Sequence, residues 1–473
     1  MGIGAVAEPL VVVTLLFGGT WFNRNSFQES VKTGDTSLLG RWRSPSPSHN
    51  IDASHKRSDS QSPSDSGAST PSGDLLMSMG AWSSSGSALL SGADGEPNRR
   101  LRMLRFLGFR RLMSTPNTRV FRDRMLSRLL RRFPFLVEAW YWALLYWVYQ
   151  LGRAFTALTL VESTVDVARK HALQLIHVEQ RLNIFIELPV QQWFLGHPTA
   201  LRWINRTYSY IHIPGSILFL VVLYYLTTTR RRKALAAKVN DAGDLEGSIG
   251  AKWESAAGPA LYEARRRTMA LCNLIAFVIF TFWPCMPPRL LSDPEYQGEN
   301  AEEAKSYGFV DTVHSGAGES SVWTTNRFCN QYGELTALLS FISGAVHLDT
   351  DSTLIAAMPS LHFGYSLLIG LTIATLPLRP GSAAWRRFAL AVGGMSYPAL
   401  ILTAIVATAN HFVLDAVAGA IVCGIAWNLN GVLLNLLVLE DYFLWVVRIH
   451  KPVHWTDPET AVYIDRENNR DYV

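Results

Sequence analysis

The sequence predicts an all-α protein, a polytopic membrane helical bundle with a six-span core and an N-terminal anchor helix. Three observations predict it. The 473-residue chain is 48% hydrophobic, with 15 Trp, 16 Tyr and 22 Phe, and its apolar residues fall in blocks long enough to cross a bilayer. Only 17% of residues are charged, low for a soluble chain of this size, and the charges sit between the blocks. Basic residues hug the ends of those blocks, so the net charge of +5 speaks for membrane orientation and against nucleic acid.

The first block, Ala5–Phe22 within residues 1–22, carries Glu8 and Pro9 and has no basic n-region, so it reads as an anchor helix and not a signal peptide. Val6 stands where N-myristoylation needs Ser or Thr. Residues 23–98 are rich in Ser, Gly and Pro, too polar to offset their ordering entropy, and are expected to be a disordered cytosolic segment. Ser44, Ser46, Ser62 and Thr70 precede Pro there, a phosphosite pattern set against the reading of a plain tail. Residues 99–133 hold twelve arginines interleaved with Leu, Met and Phe. They are expected to form basic amphipathic helices on the anionic cytosolic leaflet, with nucleic acid the weaker partner because a span follows at once.

Six blocks make up the core, residues 134–440: Phe135–Leu160, Thr207–Thr229, Thr268–Met286, Phe363–Leu378, Phe388–Ala409 and Phe412–Leu439. The remainder, 441–473, is a cytosolic tail. Placing the arginines before Phe135, the RRRKALAAK run, Arg265 to Arg267 and the RPGSAAWRR loop on the cytosolic side gives one threading, with the N-terminus outside and the C-terminus inside. Residues 161–206, the loop 287–361 and the Asn410–His411 turn then share the noncytosolic face. Cys285 and Cys329 are the cysteines that could meet there, although free thiols are the simpler reading of the four present. Their spacing is not that of zinc ligands, and neither metal nor cofactor is expected. Asn205-Arg206-Thr207 matches a glycosylation sequon but abuts a span. The aromatic EAWYWALLYWVYQ reads as an interfacial belt and lipid-facing surface.

Three polar clusters border the blocks on the noncytosolic face: WPCMPPRLL with Arg289, AAMPSLHFGYS with Ser360 and His362, and TANHFVLDAVAG with Asn410, His411 and Asp415. A polar group left unpaired in lipid costs several kcal/mol, so their presence needs a reason. His411 and Asp415 are i, i+4 on one helical face, where the carboxylate can fix the imidazole tautomer and leave the other nitrogen free to attack. His362, at a helix start, can protonate a leaving oxygen. Arg289 offers a planar fork for phosphate oxygens, and Ser360 with the free N–H groups of its helix start suits the same anion. Together they describe phosphoryl transfer through a phosphohistidine. Asn410 reads as a helix cap with phosphate contact as the alternative. Asp311 and His314 are candidates to bind an acceptor, against an ordinary loop. His212 is a candidate to line the cavity, against a histidine bonded within the bundle.

PSLH followed by NHxxxD resembles the second and third motifs of the type 2 phosphatidic acid phosphatase superfamily. The wording PPRLL, GFVDTV, AAMPSLH and TANHFVLDAVAG is closer to its inositolphosphotransferase branch, typified by fungal inositol phosphorylceramide synthase and bacterial relatives. The resemblance covers roughly residues 135–440 as a six-span core. It implies His411 as nucleophile, Asp415 as its partner, His362 as general acid, and Arg289 and Ser360 as phosphate ligands.

The chain departs from the superfamily pattern at four positions. Phe282 stands where a Lys is expected, Ala404 and Ile405 where Ser-Arg is expected, and Leu290 follows Arg289 in place of Pro. A phosphomonoester carries nearly two charges and a diester one, so a cation-poor site suits a diester, unless Arg181, Arg202 or Arg327 contributes. The expected function is therefore transfer of a phosphorylated headgroup between membrane lipids, phospholipid or sphingolipid, on the luminal face of the Golgi, endoplasmic reticulum or another endomembrane. The alternatives are lipid phosphate hydrolysis and, in another class, a non-enzymatic scaffold or transporter.

Overall fold

The computed structural model describes residues 4–25, 99–106, 108–159, 163–208, 212–233, 258–294, 296–312, 357–378 and 381–451. The chain divides into two units. The larger takes in residues 1–25, 125–435 and 451–473, and the smaller residues 26–124 and 436–450. The expected disordered stretch falls almost wholly outside the described residues, as do His314, Arg327 and Cys329.

In chain order the larger unit begins with α1 (Gly4–Phe22). The smaller unit holds the strands β1 (Arg99–Phe106) and β2 (Phe109–Pro116). The larger continues with α2 (Met125–Arg132), α3 (Phe135–Thr159), α4 (Ser163–Arg181), α5 (Glu187–Leu195), α6 (Pro198–Arg206) and α7 (His212–Tyr224). Then come α8 (Pro259–Phe282), α9 (Ala301–Ser306), α10 (Leu361–Ala374), α11 (Ala384–Ala407) and α12 (Val413–Leu429). α13 (Leu437–Val446) belongs to the smaller unit. Each apolar block of the sequence overlaps a helix. Two helical stretches, Ala384–Ala407 and Val413–Val446, are long and apolar enough to cross a membrane, while Leu10–Phe22, Phe135–Leu145 and Leu361–Ala374 are shorter apolar helices.

The arginine-rich segment differs from expectation. Residues 99–116 are not amphipathic helices but an antiparallel hairpin, with Arg102 opposite Met113 and Phe106 opposite Phe109; helix appears in a single 3-10 turn, Thr118–Phe121, and in α2. The segment also alternates with period two, and Gly108, at φ +90°, takes the backbone of a two-residue turn without a Cβ penalty. One face carries Arg99, Leu101, Met103, Arg105, Arg110 and Leu112, all exposed. On the other, buried Arg102 makes a two-pronged bond to Asp441 of α13 (2.7 and 3.1 Å), and Thr115 donates to the same carboxylate.

The larger unit has two main cores. One joins Phe135, Tyr224, Tyr262, Cys272, Leu368 and Val422 from α3, α7, α8, α10 and α12. On α3 the outward face stays apolar, with Trp140, Trp147 and Leu151 exposed. The second core packs Ala168, Ala172 and Ile176 of α4 against Cys285, Met286, Leu291, Ala357, Ala409 and Phe412, the connecting segments at one end of the bundle. Small residues let α10 cross its neighbours closely. A Cβ on Gly370 would lie 2.6 Å from the Gly394 carbonyl oxygen of α11, and one on Gly419 of α12 would overlap the Ser360 carbonyl. That second crossing lays the start of α10 beside the start of α12.

Candidate active site

Backbone bonds fasten three connecting segments together. The N–H of Arg289 donates to the Ala409 carbonyl, that of Ala357 to Cys285, and that of Ser360 to Asp415, each at 2.9 Å. Ala409 has φ +49°, a left-handed turn that costs a non-glycine residue about 1–2 kcal/mol. This turn carries the chain from α11 into Asn410 and His411.

His411 is buried. Its Nδ1 lies 2.8 Å from the Ala357 carbonyl oxygen and 3.5 Å from Asp415 Oδ2. A carbonyl can only accept, so Nδ1 carries the proton, and in the neutral ring Nε2 keeps its lone pair. The tautomer is the one expected, but a backbone carbonyl holds it more closely than Asp415 does. Asp415 itself, fully buried, accepts the N–H of Phe412 at 2.8 Å and so ties off the first turn of α12. The His362 ring sits at 5.7 Å between centroids from that of His411, and the Tyr208 ring packs against it at 4.8 Å. Residues 49 positions apart thus face one another.

Arg289 is held on two sides. Its Nε donates to Asn410 Oδ1 at 2.8 Å and its Nη1 to Asp311 Oδ2 at 2.9 Å. Asn410 therefore does not cap α12; Phe412 is at the cap position, and the Asn410 amide joins Arg289 to Thr408. The Arg289 carbonyl partner at Ala409 draws the guanidinium's segment to the turn before His411, which leaves that side chain in reach of the neighbouring amide. Asp311 is an ion-pair partner of the site arginine. Ser360 is fully buried and caps α10, its Oγ accepting the Phe363 N–H at 3.4 Å. His212 opens α7, but its side chain lies outside the described residues. Arg181 and Arg202 are exposed. Cys285 is a buried free thiol, and Asn205 of the sequon donates its amide to the Thr312 carbonyl. At the departures, Ala404 and Ile405 are fully buried and apolar, and Phe282 is 81% exposed.

Three residues were missed by the sequence reading: Glu179, Glu187 and Tyr208. Glu187 Oε1 accepts the Val413 N–H at 2.7 Å and Glu179 Oε1 accepts the Leu414 N–H at 2.8 Å, both carboxyls fully buried. Burial, then the neighbouring Glu187 carboxylate, pushes Glu179 up to about 9; burial likewise raises Glu187. A signal for Glu179 existed: Ala168, Ala172, Ile176 and Glu179 fall on one helical stripe, all fully buried. Tyr208 carried no such signal. Among the described residues no group of three or more His, Cys, Asp or Glu side chains is arranged to hold a metal ion.

The family model of the PAP2 superfamily matches residues 173–240 and 251–429, more than half of the chain. The chain belongs to the PAP2 superfamily. Every residue of the candidate site from Glu179 to Asp415 falls within the matched stretches. No curated protein and no solved structure matches the chain. For a PAP2 protein with apolar helices, membership points to a phosphatase or phosphotransferase acting on lipid-like substrates in a membrane.

Proposed function

We propose that this protein is an integral-membrane phosphotransferase that moves a phosphorylated headgroup, in the manner of an inositolphosphotransferase, from one lipid to another through a phosphohistidine. The observation that carries the reading is the convergence of His362 on His411, with the Arg289 guanidinium tied to Asn410, the residue before His411. His411 Nε2 attacks phosphorus, the bond from phosphorus to the lipid oxygen breaks, and His362 gives that oxygen its proton. The His411 ring then carries phosphorus on Nε2 and hydrogen on Nδ1, still bonded to the Ala357 carbonyl with Asp415 beside it. In the second half an acceptor hydroxyl attacks, His362 takes its proton back, and the P–N bond breaks.

Two features support a lipid donor and a diester. Apolar grooves of ≈ 360 and ≈ 390 Å³ flank the Val417–Ile421 ridge of α12. Phe363, next to His362 in the chain, lines the first, and Met358, two residues before Ser360, lines the second. Apolar side chains at Phe282, Ala404 and Ile405 leave Arg289 as the motif's cation, a better match to one phosphate charge than to two. On this reading the core is six-span with α1 as anchor, and the site opens to the lumen of the Golgi, endoplasmic reticulum or a related endomembrane. The hairpin's exposed face of Arg99, Leu101, Met103, Arg105, Arg110 and Leu112 fits an anionic cytosolic leaflet.

The test is the full chain in vesicles with labelled phosphatidylinositol, phosphatidate and ceramide, with products read by mass. Transfer of the inositol phosphate to ceramide is expected, and it should be abolished by His411→Ala and by His362→Ala. Free phosphate released from phosphatidate with no transfer would establish hydrolysis instead. Turnover retained by either histidine variant would overturn the assigned roles.

A further inference from the structure

Three consecutive backbone N–H groups at the start of α12 each end on a carboxylate oxygen: Phe412 on Asp415, Val413 on Glu187 and Leu414 on Glu179, at 2.7 to 2.8 Å. The first turn of a helix always has such orphan donors, but one side chain usually serves them. Here three fully buried carboxyl groups from α4, α5 and α12 do so, directly after His411. Asn183, at φ +56°, reverses the chain between α4 and α5, and the Ile184 N–H bonds back to the Glu179 carbonyl at 2.9 Å. That turn folds Glu187 onto Glu179.

Each glutamate spends Oε1 on the helix. The two Oε2 atoms are buried with no protein donor, and the two carboxyl groups are brought together on the adjacent Val413 and Leu414 amides. Two carboxylates cannot bond, since both only accept. One proton between them supplies the donor and removes the repulsion. We infer that Glu179 and Glu187 form a carboxyl pair sharing one proton, which positions the His411 end of α12 and fixes the negative charge behind the histidine.

The groups facing the pair support that role. They are Asp415, the N-terminal amides of α12, and the buried Cys285 thiol. No Arg or Lys among the described residues neutralises the pair. With one proton shared, the pair carries a single charge, held by helix amides that favour anions. A full second charge would strain the cap, while loss of both would leave the forming phosphoimidazolium with Asp415 alone. Glu179 and Glu187 touch no reacting atom; they are positioning residues. The kinetic part rests on the phosphohistidine reading, whereas the shared proton does not.

The full chain in vesicles, with Glu179→Gln, Glu187→Gln and the double variant, tests both parts. Difference infrared spectra at neutral pH should show a protonated-carboxyl stretch, sensitive to deuterium exchange, that either single substitution removes. Each single variant replaces the neutral member with a neutral amide, so the charge behind His411 is unchanged and the acidic limb of kcat/KM should stay in place. The double variant removes one charge, and that limb should move to lower pH by about half a unit or more. Absence of the stretch from the wild type, or its survival in both single variants, overturns the shared proton. An unmoved limb in the double variant overturns the charge role. If instead no phosphoenzyme can be trapped while the infrared result holds, the phosphohistidine reading has failed and the pair stands.

Discussion

Near the start of α8, Glu138 of α3 accepts from Arg266 at 2.5 Å, Glu263 lies 3.8 Å from Arg267, and Arg265 lies over the Trp427 ring. About 24 Å further along that helix, past its other end, Glu179, Glu187 and Asp415 are as deeply buried, yet they take backbone amides and no arginine. A buried charge must be compensated, and these two regions do it in different ways. Guanidinium groups cancel the charge where only the fold is at stake. Amide dipoles hold the charge without cancelling it, which leaves negative potential beside a ring that becomes a cation during transfer. A buried carboxylate thus means something different according to what it is paired with.

The contrast can be broken most strongly by removing a cation. Arg266→Ala leaves Glu138 buried and unpaired, and should cost about 3–5 kcal/mol of stability. Denaturation of the reconstituted chain reads the loss, while KM of the folded remainder should be unchanged; a large change in KM would put the pair in the site. Gly419→Ala strikes the junction of α10 and α12. Its methyl overlaps the Ser360 carbonyl, and relief of that overlap should cost about 1–3 kcal/mol and move His362 away from His411. A fall in kcat larger than the fall in stability would show that the crossing sets the distance between the histidines.

A pH dependence sharpens the difference in charge. Glu179 is raised from its unfolded range to about 9, so its proton contributes stability that is fully present below about pH 4.3 and lost as pH rises toward 9. The apparent unfolding temperature should therefore decline by a few degrees across that window, and Glu179→Gln should flatten the decline. Glu138→Gln should leave the slope in place.

Much of this was legible along the chain. Apolar blocks gave the helices because burial of a helix follows local composition. Two helices, α10 and α11, stand between PSLH and NHFVLD and return the chain so that His362 and His411 lie at one end. The stripe ending in Glu179 was equally legible, and only its charge disguised it. The hairpin was not legible as such, since its arginines and apolar residues satisfy both a two-residue and a helical spacing. Gly108 and the pairing of Arg102 with Asp441, 339 positions away, accompany the choice of strand.

By itself, then, the sequence determined where the apolar helices form and which chemical groups stand at their ends, because both follow from neighbours within a few turns. Tertiary structure decided what each of those groups is bonded to. It gave Asn410 to Arg289 and not to a helix end, Nδ1 of His411 to Ala357 more closely than to Asp415, and the Val413 and Leu414 amides to glutamates more than 200 positions away. Such pairings depend on the packing of α4 and α5 against the connecting segments, and no local pattern encodes a bond whose partners meet only after the chain has closed on itself.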